Sequence, residues 1–490
     1  MEIAVVVLYS VSLLFIFLFS IGQLNLTWFY LRSRKHKKQD AEVEEELKEY
    51  PMVTIQLPLY NEKYVAERLI EAVSSFDYPR DRFEIQVLDD STDETVDIIR
   101  EKINALDSDI QIEHIQRENR VGFKAGALKY GTEIAKGDYI AIFDADFLPK
   151  PEFLKKTLPY FKDDSIGVVQ TRWGHLNKDY STLTKLQAFG LDAHFSIEQS
   201  GRSYAGSFIN FNGTAGIWRK SCIYDAGGWS SDTLTEDLDL SYRAQMKGWK
   251  FKFLEDLESP AELPVIMPAV KSQQYRWNKG AAETAKKNIW KVWTSDIKLV
   301  NKWHAFFHLF NSSVFISLFI AAILSIPMLY IKFGNPAYDF YFDLGSVFLL
   351  GFFSIGFFYW ISSKRMVPEK TGRYFFRTFP TFLTVSMGLS LHNAVAVLEG
   401  LFGLKSDFIR TPKFNILKKS DSWKNNEYIR PKINFMTLLE GFLALYFIFG
   451  IVSGFVLEDY GLMFFHIMLS LGFLGVFYQS VKPIAYGGNS

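Results

Sequence analysis

Apolar and polar positions separate the chain into a polar centre and apolar ends. No charged residue occurs between positions 3 and 31, a stretch that as a helix, at about 1.5 Å per residue, exceeds the ~30 Å hydrocarbon core of a bilayer. The pattern predicts a membrane-spanning helix over residues 1–31. The segment begins with Glu2 and ends in Arg32-Ser33-Arg34-Lys35-His36-Lys37-Lys38, the reverse of the basic start and small-residue cleavage site of a removed leader. That basic flank assigns the end of the helix to the cytosol. Residues 32–50, basic and then acidic, are expected to form a cytosolic linker.

Residues 51–303 follow a different rhythm. Short β-rich runs at 53–57, 84–88, 111–115, 139–143 and 167–170 read as strands, and stretches of helical spacing such as 62–76 and 93–106 separate most of them. A βαβ series of this kind predicts a mainly parallel sheet covered by helices. Ligands are then expected at the carboxyl ends of the strands.

From residue 304 to 490 the apolar pattern returns, at about 304–331, 344–362, 375–404, 435–457 and 461–481. The loop 364–373 carries Lys364, Arg365, Lys370 and Arg373, and the loop 405–432 carries Lys405, Lys418, Lys419, Lys424 and Lys432 among other cations. Both read as cytosolic. A segment with cytosolic loops on both sides cannot cross once, so 375–404, which also holds Pro380, His392, Asn393 and Glu399, is expected in the membrane interface. This topology has five spans, an outside N-terminus and an inside C-terminus.

Composition sharpens the picture. Hydrophobic residues make up 48% and aromatic residues 17% of the chain, which fits a part in lipid. Lys+Arg and Asp+Glu balance at 54 each, so no global field recruits a polyanion, and nucleic acid is excluded as a first partner. The single cysteine, Cys222, allows no disulfide framework or Cys-rich zinc site, fits a reducing compartment, and reads as a small buried hydrophobe.

The candidate chemistry is acidic. Asp144 and Asp146 follow the apolar strand 139–143, and Asp89-Asp90 close the strand 84–88. Two carboxylates at such an edge suit a hard divalent cation on phosphate oxygens, although a solvated strand end has the same residues. Thr235-Glu236-Asp237 precedes a helical run, where an acidic triplet also serves as a helix cap. In Gln273-Gln274-Tyr275-Arg276-Trp277, Gln273, Arg276 and Trp277 share a helix face and offer an amide, a phosphate-binding fork and an aromatic platform. An Arg-Trp pair is equally common at a membrane surface.

Taken in order, Pro58-Leu59-Tyr60-Asn61-Glu62, Asp89-Asp90, Lys124-Ala125-Gly126, Asp144-x-Asp146, Phe211-Asn212-Gly213-Thr214-Ala215-Gly216, Thr235-Glu236-Asp237 and Gln273-x-x-Arg276-Trp277 resemble the signature of processive family-2 glycosyltransferases. The likeness is strongest to cellulose synthase and the cellulose-synthase-like mannan and glucan synthases. Phe408-Ile409-Arg410-Thr411-Pro412-Lys413 is similar to that family's gating-loop motif, Phe-x-Val-Thr-x-Lys, with Arg410 where the motif has Val.

The resemblance implies an α/β GT-A nucleotide-sugar-binding domain with an α-helical transmembrane region. It also implies an inverting hexosyltransferase that polymerises a β-linked glucan or mannan and extrudes it. On this basis Asp237 is the base, with Glu236 beside it, and Asp144 and Asp146 hold Mg²⁺ or Mn²⁺ on the diphosphate. Tyr60, Glu62, Asp89 and Asp90 contact the base and ribose; Lys124, Gln273 and Arg276 serve the donor; Phe408, Thr411 and Lys413 close over it. Trp277, with Asn212, Gly213 and Thr214, shapes the acceptor site.

The partners so implied are UDP-glucose or GDP-mannose, the growing polysaccharide and the lipid bilayer, with a secretion subunit left open. The expected location is the plasma or inner membrane, with the catalytic domain cytoplasmic. The competing enzyme reading is a non-processive transferase that adds one sugar to a lipid acceptor. A channel or transporter with a degenerate domain is the competing reading outside enzymes, and its signature would have been loss of Asp237.

Overall fold

A computed structural model of the chain describes residues 2–37, 47, 49–335, 338, 342, 345–406, 410–424, 426–429 and 432–484. The polar centre forms a seven-stranded sheet: β1 (Val53–Leu59), β2 (Phe83–Asp89), β3 (Ile112–Gln116), β4 (Tyr139–Ile142), β5 (Ile166–His175), β6 (Gly216–Arg219) and β7 (Lys250–Ala261), in the order β3-β2-β1-β4-β6-β5-β7. β1, β2, β3 and β4 run parallel, β6 is antiparallel to both of its neighbours, and β5 pairs parallel with β7.

The mainly parallel GT-A-type sheet expected from the sequence is present. β1 is buried along both faces because helices cover both, with Thr54 and Gln56 bonded to Glu84 and Gln86 of β2. Ile55, Leu69, Val73 and Phe153 pack on one side, and Leu128, Ile140, Trp218 and Leu240 on the other. From β1 the chain steps to β2 on one side and later returns to β4 on the other. The crevice outside the carboxyl ends of β1 and β4 is therefore a topological switch point, where such sheets bind ligands.

Two strands lie outside the sequence expectation. β6 is four residues long, and β7 begins with Lys250-Phe251-Lys252-Phe253 after a helix. Both exist because strands distant in sequence supply their ladders, β4 and β5 for β6 and β5 for β7. The expected helices 62–76 and 93–106 are trimmed to Ala66–Ser74 and Thr95–Asn104.

Among the described residues four helices are long and apolar enough to cross a membrane: Glu2–Lys35, Asn311–Gly334, Phe435–Val456 and Met463–Val481. They make this a membrane protein. The expected span 344–362 falls on the helix Leu349–Met366. The segment 375–404 is a bent pair, Pro368–Gly388 and Ser390–Phe402, meeting at 52°, and becomes a fifth crossing if counted as one span. Ser390–Phe402 lies along the long helix Met267–Thr294 that closes the sheet domain, joined through Asn393 Nδ2 to Gln274 Oε1 at 2.9 Å and Lys279 Nζ to Glu399 Oε2 at 3.2 Å.

Candidate active site

The ends of β1, β2 and β4 open into one cavity of about 190 Å³. At the β1 and β2 end, the Asn61 N–H donates to Ser91 Oγ and the Thr92 N–H to Asn61 Oδ1, each at 2.8 Å, which stitches the two strand ends together. Tyr60, Glu62 and Asp90 line the cavity beside this stitch. Burial pushes the Glu62 carboxyl up to about 7, against the pull of Arg410 and Lys413.

Past β4 the chain turns through Asp144-Ala145-Asp146. The Asp144 N–H donates to Thr214 Oγ1 at 2.8 Å and the Glu262 N–H to the Asp146 carbonyl at 3.2 Å, so the turn is held from both sides. Lys124 Nζ lies 2.6 Å from Asp144 Oδ1, donates to the Gly213 carbonyl at 2.8 Å and reaches Glu236 at 3.9 Å. Burial pulls this ammonium down, but Asp144 and then Glu236 outweigh burial and keep it above its ordinary value. Gly213 adopts φ +78°, and an added Cβ would stand 3.0 Å from Asp237 Oδ2. A side chain there would be strained and would enter the acidic pocket.

Glu236 and Asp237 occupy the first turn of the helix Glu236–Met246 and face the same cavity. The turn is fastened to the helix Met267–Thr294 by the Leu234 N–H donating to Glu283 Oε2 at 2.8 Å. At Gly280 the two elements touch so closely that a Cβ would lie 2.6 Å from Thr235 Cγ2. Burial pushes the Asp237 carboxyl up to about 7, with the neighbouring Glu236 charge adding to it. Glu236 is raised as well, by burial, against the opposing Lys124.

A loop from the membrane region completes the wall. Arg276 Nη2 donates to Thr411 Oγ1 at 2.8 Å, Lys413 Nζ pairs with Asp146 Oδ2 at 2.8 Å, and Arg410 Nη1 lies 3.0 Å from Glu62 Oε2. Arg410, which departs from the resembled motif, also donates to the Tyr60 and Asn61 carbonyls and rests 4.2 Å over the Tyr428 ring. The buried Glu262 accepts the N–H groups of Phe414, Asn415 and Ile416 at 3.0–3.2 Å and pairs with Arg68 at 2.7 Å. Phe408 lies outside the described residues.

The residues singled out from the sequence thus converge, with two exceptions. Asp89 does not line the cavity: its buried carboxylate accepts the Ser91 N–H at 2.9 Å and lies 2.8 Å from His114 Nε2, so it braces the strand end. Thr214 is fully buried and props the Asp144 turn. Sequence reasoning missed Arg120, whose guanidinium stacks 3.3 Å over the Tyr60 ring centre, and Trp173, 6.3 Å from Trp277. Arg120 sits in a charged loop before a helix, and Trp173 inside a strand. Only its position four residues before Lys124 could have marked Arg120.

Asp144 and Asp146 suit a divalent cation in one particular way. No cluster of three His, Cys, Asp or Glu side chains occurs among the described residues, so no all-protein cage is present there. Two carboxylates that share a small hard cation with a diphosphate match the Mg²⁺ manner of binding. The lysines on both carboxylates mark a site built for alternating charge.

A second cavity, of about 330 Å³, lies among the membrane helices. Gln273 and Trp277 line both. Its wall mixes amides, among them Gln23, Gln187, Gln274 and Asn393, with the rings of Phe19, Phe315, Tyr359 and Phe382.

Residues 51–289 match the family described as Glycosyltransferase like family 2. Over 283 residues the chain is 43% identical to the probable glucomannan 4-beta-mannosyltransferase 2 of Oryza sativa subsp. japonica, covering 56% of this chain and 48% of that relative. It is 42% identical over 268 residues to glucomannan 4-beta-mannosyltransferase 9 of Arabidopsis thaliana, covering 53% and 50%. The chain therefore spans about half the length of the curated relatives it matches. Its fold is similar to that of the mannosyltransferase PcManGT from Pyrobaculum calidifontis in complex with GDP-Man and Mn2+, with a TM-score of 0.56 and 19% identity over 81% of this chain and 100% of that one. By sequence, residues 51–289 thus match the model of a glycosyltransferase family 2 domain, and the fold agrees with that match.

Proposed function

We propose that the chain is an inverting hexosyltransferase that polymerises a β-linked mannan or glucan from a nucleotide-diphosphate sugar and passes it into the membrane. The observation that carries this reading is the shared wall of Gln273 and Trp277. A sugar end resting on these two residues would stand beside both cavities. GDP-mannose is the favoured donor, because the relatives are named mannosyltransferases and the Pyrobaculum enzyme is in complex with GDP-Man. UDP-glucose is the competitor.

In the proposed step the acceptor hydroxyl gives its proton to Asp237 while its oxygen forms a bond to the anomeric carbon. The bond from that carbon to the diphosphate breaks, and the electron pair leaves on the nucleoside diphosphate. A carboxylate raised toward neutrality is a stronger base than an ordinary one and is still partly ionised near pH 7. Lys124, Arg276 and Lys413 place positive charge around the leaving group. Asp144 and Asp146 would hold Mg²⁺ or Mn²⁺, whose chemistry when bound is to neutralise the diphosphate. Tyr60, Glu62 and Asp90, with Arg120 and Arg410, would take the base and ribose. Trp277 offers its face to the acceptor sugar, with Asn212 and Gly213 beside it. The basic flank of the first helix assigns the domain to the cytosol.

The test is direct. Purified protein in lipid nanodiscs, given radiolabelled GDP-mannose or UDP-glucose with Mn²⁺ or Mg²⁺, should make a long polymer that an endo-β-mannanase or endo-β-glucanase cuts. A single sugar on an organic-extractable lipid would replace this reading with the lipid-acceptor transferase.

A further inference from the structure

The helix that carries Gln273, Arg276 and Trp277 is bolted to the membrane region by a buried charge. Two residues before Gln273, Lys271 points its Nζ 2.6 and 2.7 Å from the two carboxylate oxygens of Glu440 and 2.7 Å from Ser480 Oγ. Glu440 belongs to the helix Phe435–Val456 and is 0% exposed; Ser480 belongs to Met463–Val481. The carbonyl oxygen of Lys271 lies 3.0 Å from His392 Nε2, on Ser390–Phe402. One lysine thus joins its own helix to three others.

We infer that Lys271 is a positioning residue, whose pair with Glu440 sets the rotation and depth at which the acceptor-holding helix stands over the membrane cavity. The inference rests on the polymerase reading above. At about 100° per residue, Gln273 and Trp277 lie roughly 200–240° around the helix from Lys271, so the helix stands between the last two membrane helices and the wall that Gln273 and Trp277 give to both cavities. A slip or roll on the Lys271 side moves Gln273 and Trp277 at that wall.

Stability alone does not account for the pair. Replacing a buried ion pair with packed apolar groups is often neutral or stabilising, whereas a doubly bonded charge pair permits one alignment and no other. Its use is to keep the growing end in line between the reacting centre and the exit. A tilted platform lets that end slip off, and water then takes the glycosyl group in its place.

The experiment compares full-length parent, Lys271→Met/Glu440→Leu, which removes both charges, and Glu440→Gln, which keeps an acceptor for Lys271. Each is reconstituted in nanodiscs, and thermal midpoint, product length and the ratio of free-sugar release to transfer are measured. Lys271→Arg serves as the conservative rescue. The double variant should keep the parent midpoint within a few degrees, shorten the product and raise the hydrolysis-to-transfer ratio about tenfold, since misplacement by ~1 Å costs up to about 10²-fold in rate. Glu440→Gln should shift both readouts the same way, and Lys271→Arg should restore them.

Parent length and ratio in either charge-removing variant, or equal loss of hydrolysis and transfer, would overturn the inference and leave the polymerase reading intact. If the double variant does not fold, Glu440→Gln decides. A parent that makes no polymer overturns both.

Discussion

Lys413 Nζ lies 2.8 Å from Asp146 Oδ2, so a loop that follows the bent helix pair ends on a carboxylate at the carboxyl edge of the sheet. The ammonium is about one-seventh exposed and the carboxylate less, which screens the pair little. Donor and cation entering the cavity must redistribute that charge. Lys413→Ala should therefore weaken donor binding by about tenfold, the value of one charge-assisted hydrogen bond. It should also lower the Mn²⁺ concentration at half-maximal activity. Donor affinity equal to the parent's would remove Lys413 from the diphosphate.

Asp237→Asn should bind donor normally and lose transfer by about 10²–10⁴-fold, because the amide cannot accept a proton. The parent's pH profile has a definite sign. The base acts when ionised, and burial and Glu236 raise Asp237 to about 7. Activity should thus be full well above pH 7 and fall as pH drops through 7. An acid limb near pH 4 would return the catalytic base to the ordinary carboxylate range and overturn the raised Asp237.

Trp277→Ala removes a sugar platform while hardly touching the donor cavity's charges. Polymer synthesis should fall at least about tenfold, as loss of ~1.5 kcal/mol of ring contact implies, with donor affinity unchanged and release of free sugar retained. Polymer of parental length and rate would mean that the ring serves packing only.

Thr214→Val tests the prop under the acidic turn. The isosteric change leaves the partly buried Asp144 N–H without its acceptor, at about 1–3 kcal/mol. The thermal midpoint should drop by a few degrees, and Mn²⁺ dependence should weaken although no ligand contact is deleted. An unaltered midpoint and metal response would show that the turn holds itself.

The topology can be read by labelling. In a Cys222→Ser background, cysteines at Lys35, Lys370 and Lys419 should resist an impermeant thiol reagent in intact cells, while one at Asn335 should react. Labelling at 419 but not at 370 would make the bent pair a crossing and place the loop that carries Lys413 outside.

Much of the site was legible because its parts are local. Asp144-x-Asp146 follows an apolar strand and Glu236-Asp237 starts a helix, so the sequence around each already gives the element and the edge. Asp89 shows where locality stops. It and Asp90 are neighbours with opposite fates, because alternation along the strand turns one carboxylate toward His114 and the other toward the cavity. Arg410 looked like a departure from a motif, and the fold gives it Glu62 and Tyr428 as partners.

By itself the sequence determined the segregation into lipid-embedded and polar parts, the parallel sheet and the acidic residues at its edge. Hydrophobic period and strand-end chemistry are short-range properties of a chain. Only the tertiary structure decided that β6 and β7 form against β5, that Glu262 pins a loop 150 residues downstream through three N–H groups, and that Lys271 meets Glu440. Such contacts depend on where distant helices come to rest. A lone lysine or glutamate looks like any other charge until burial leaves it one partner.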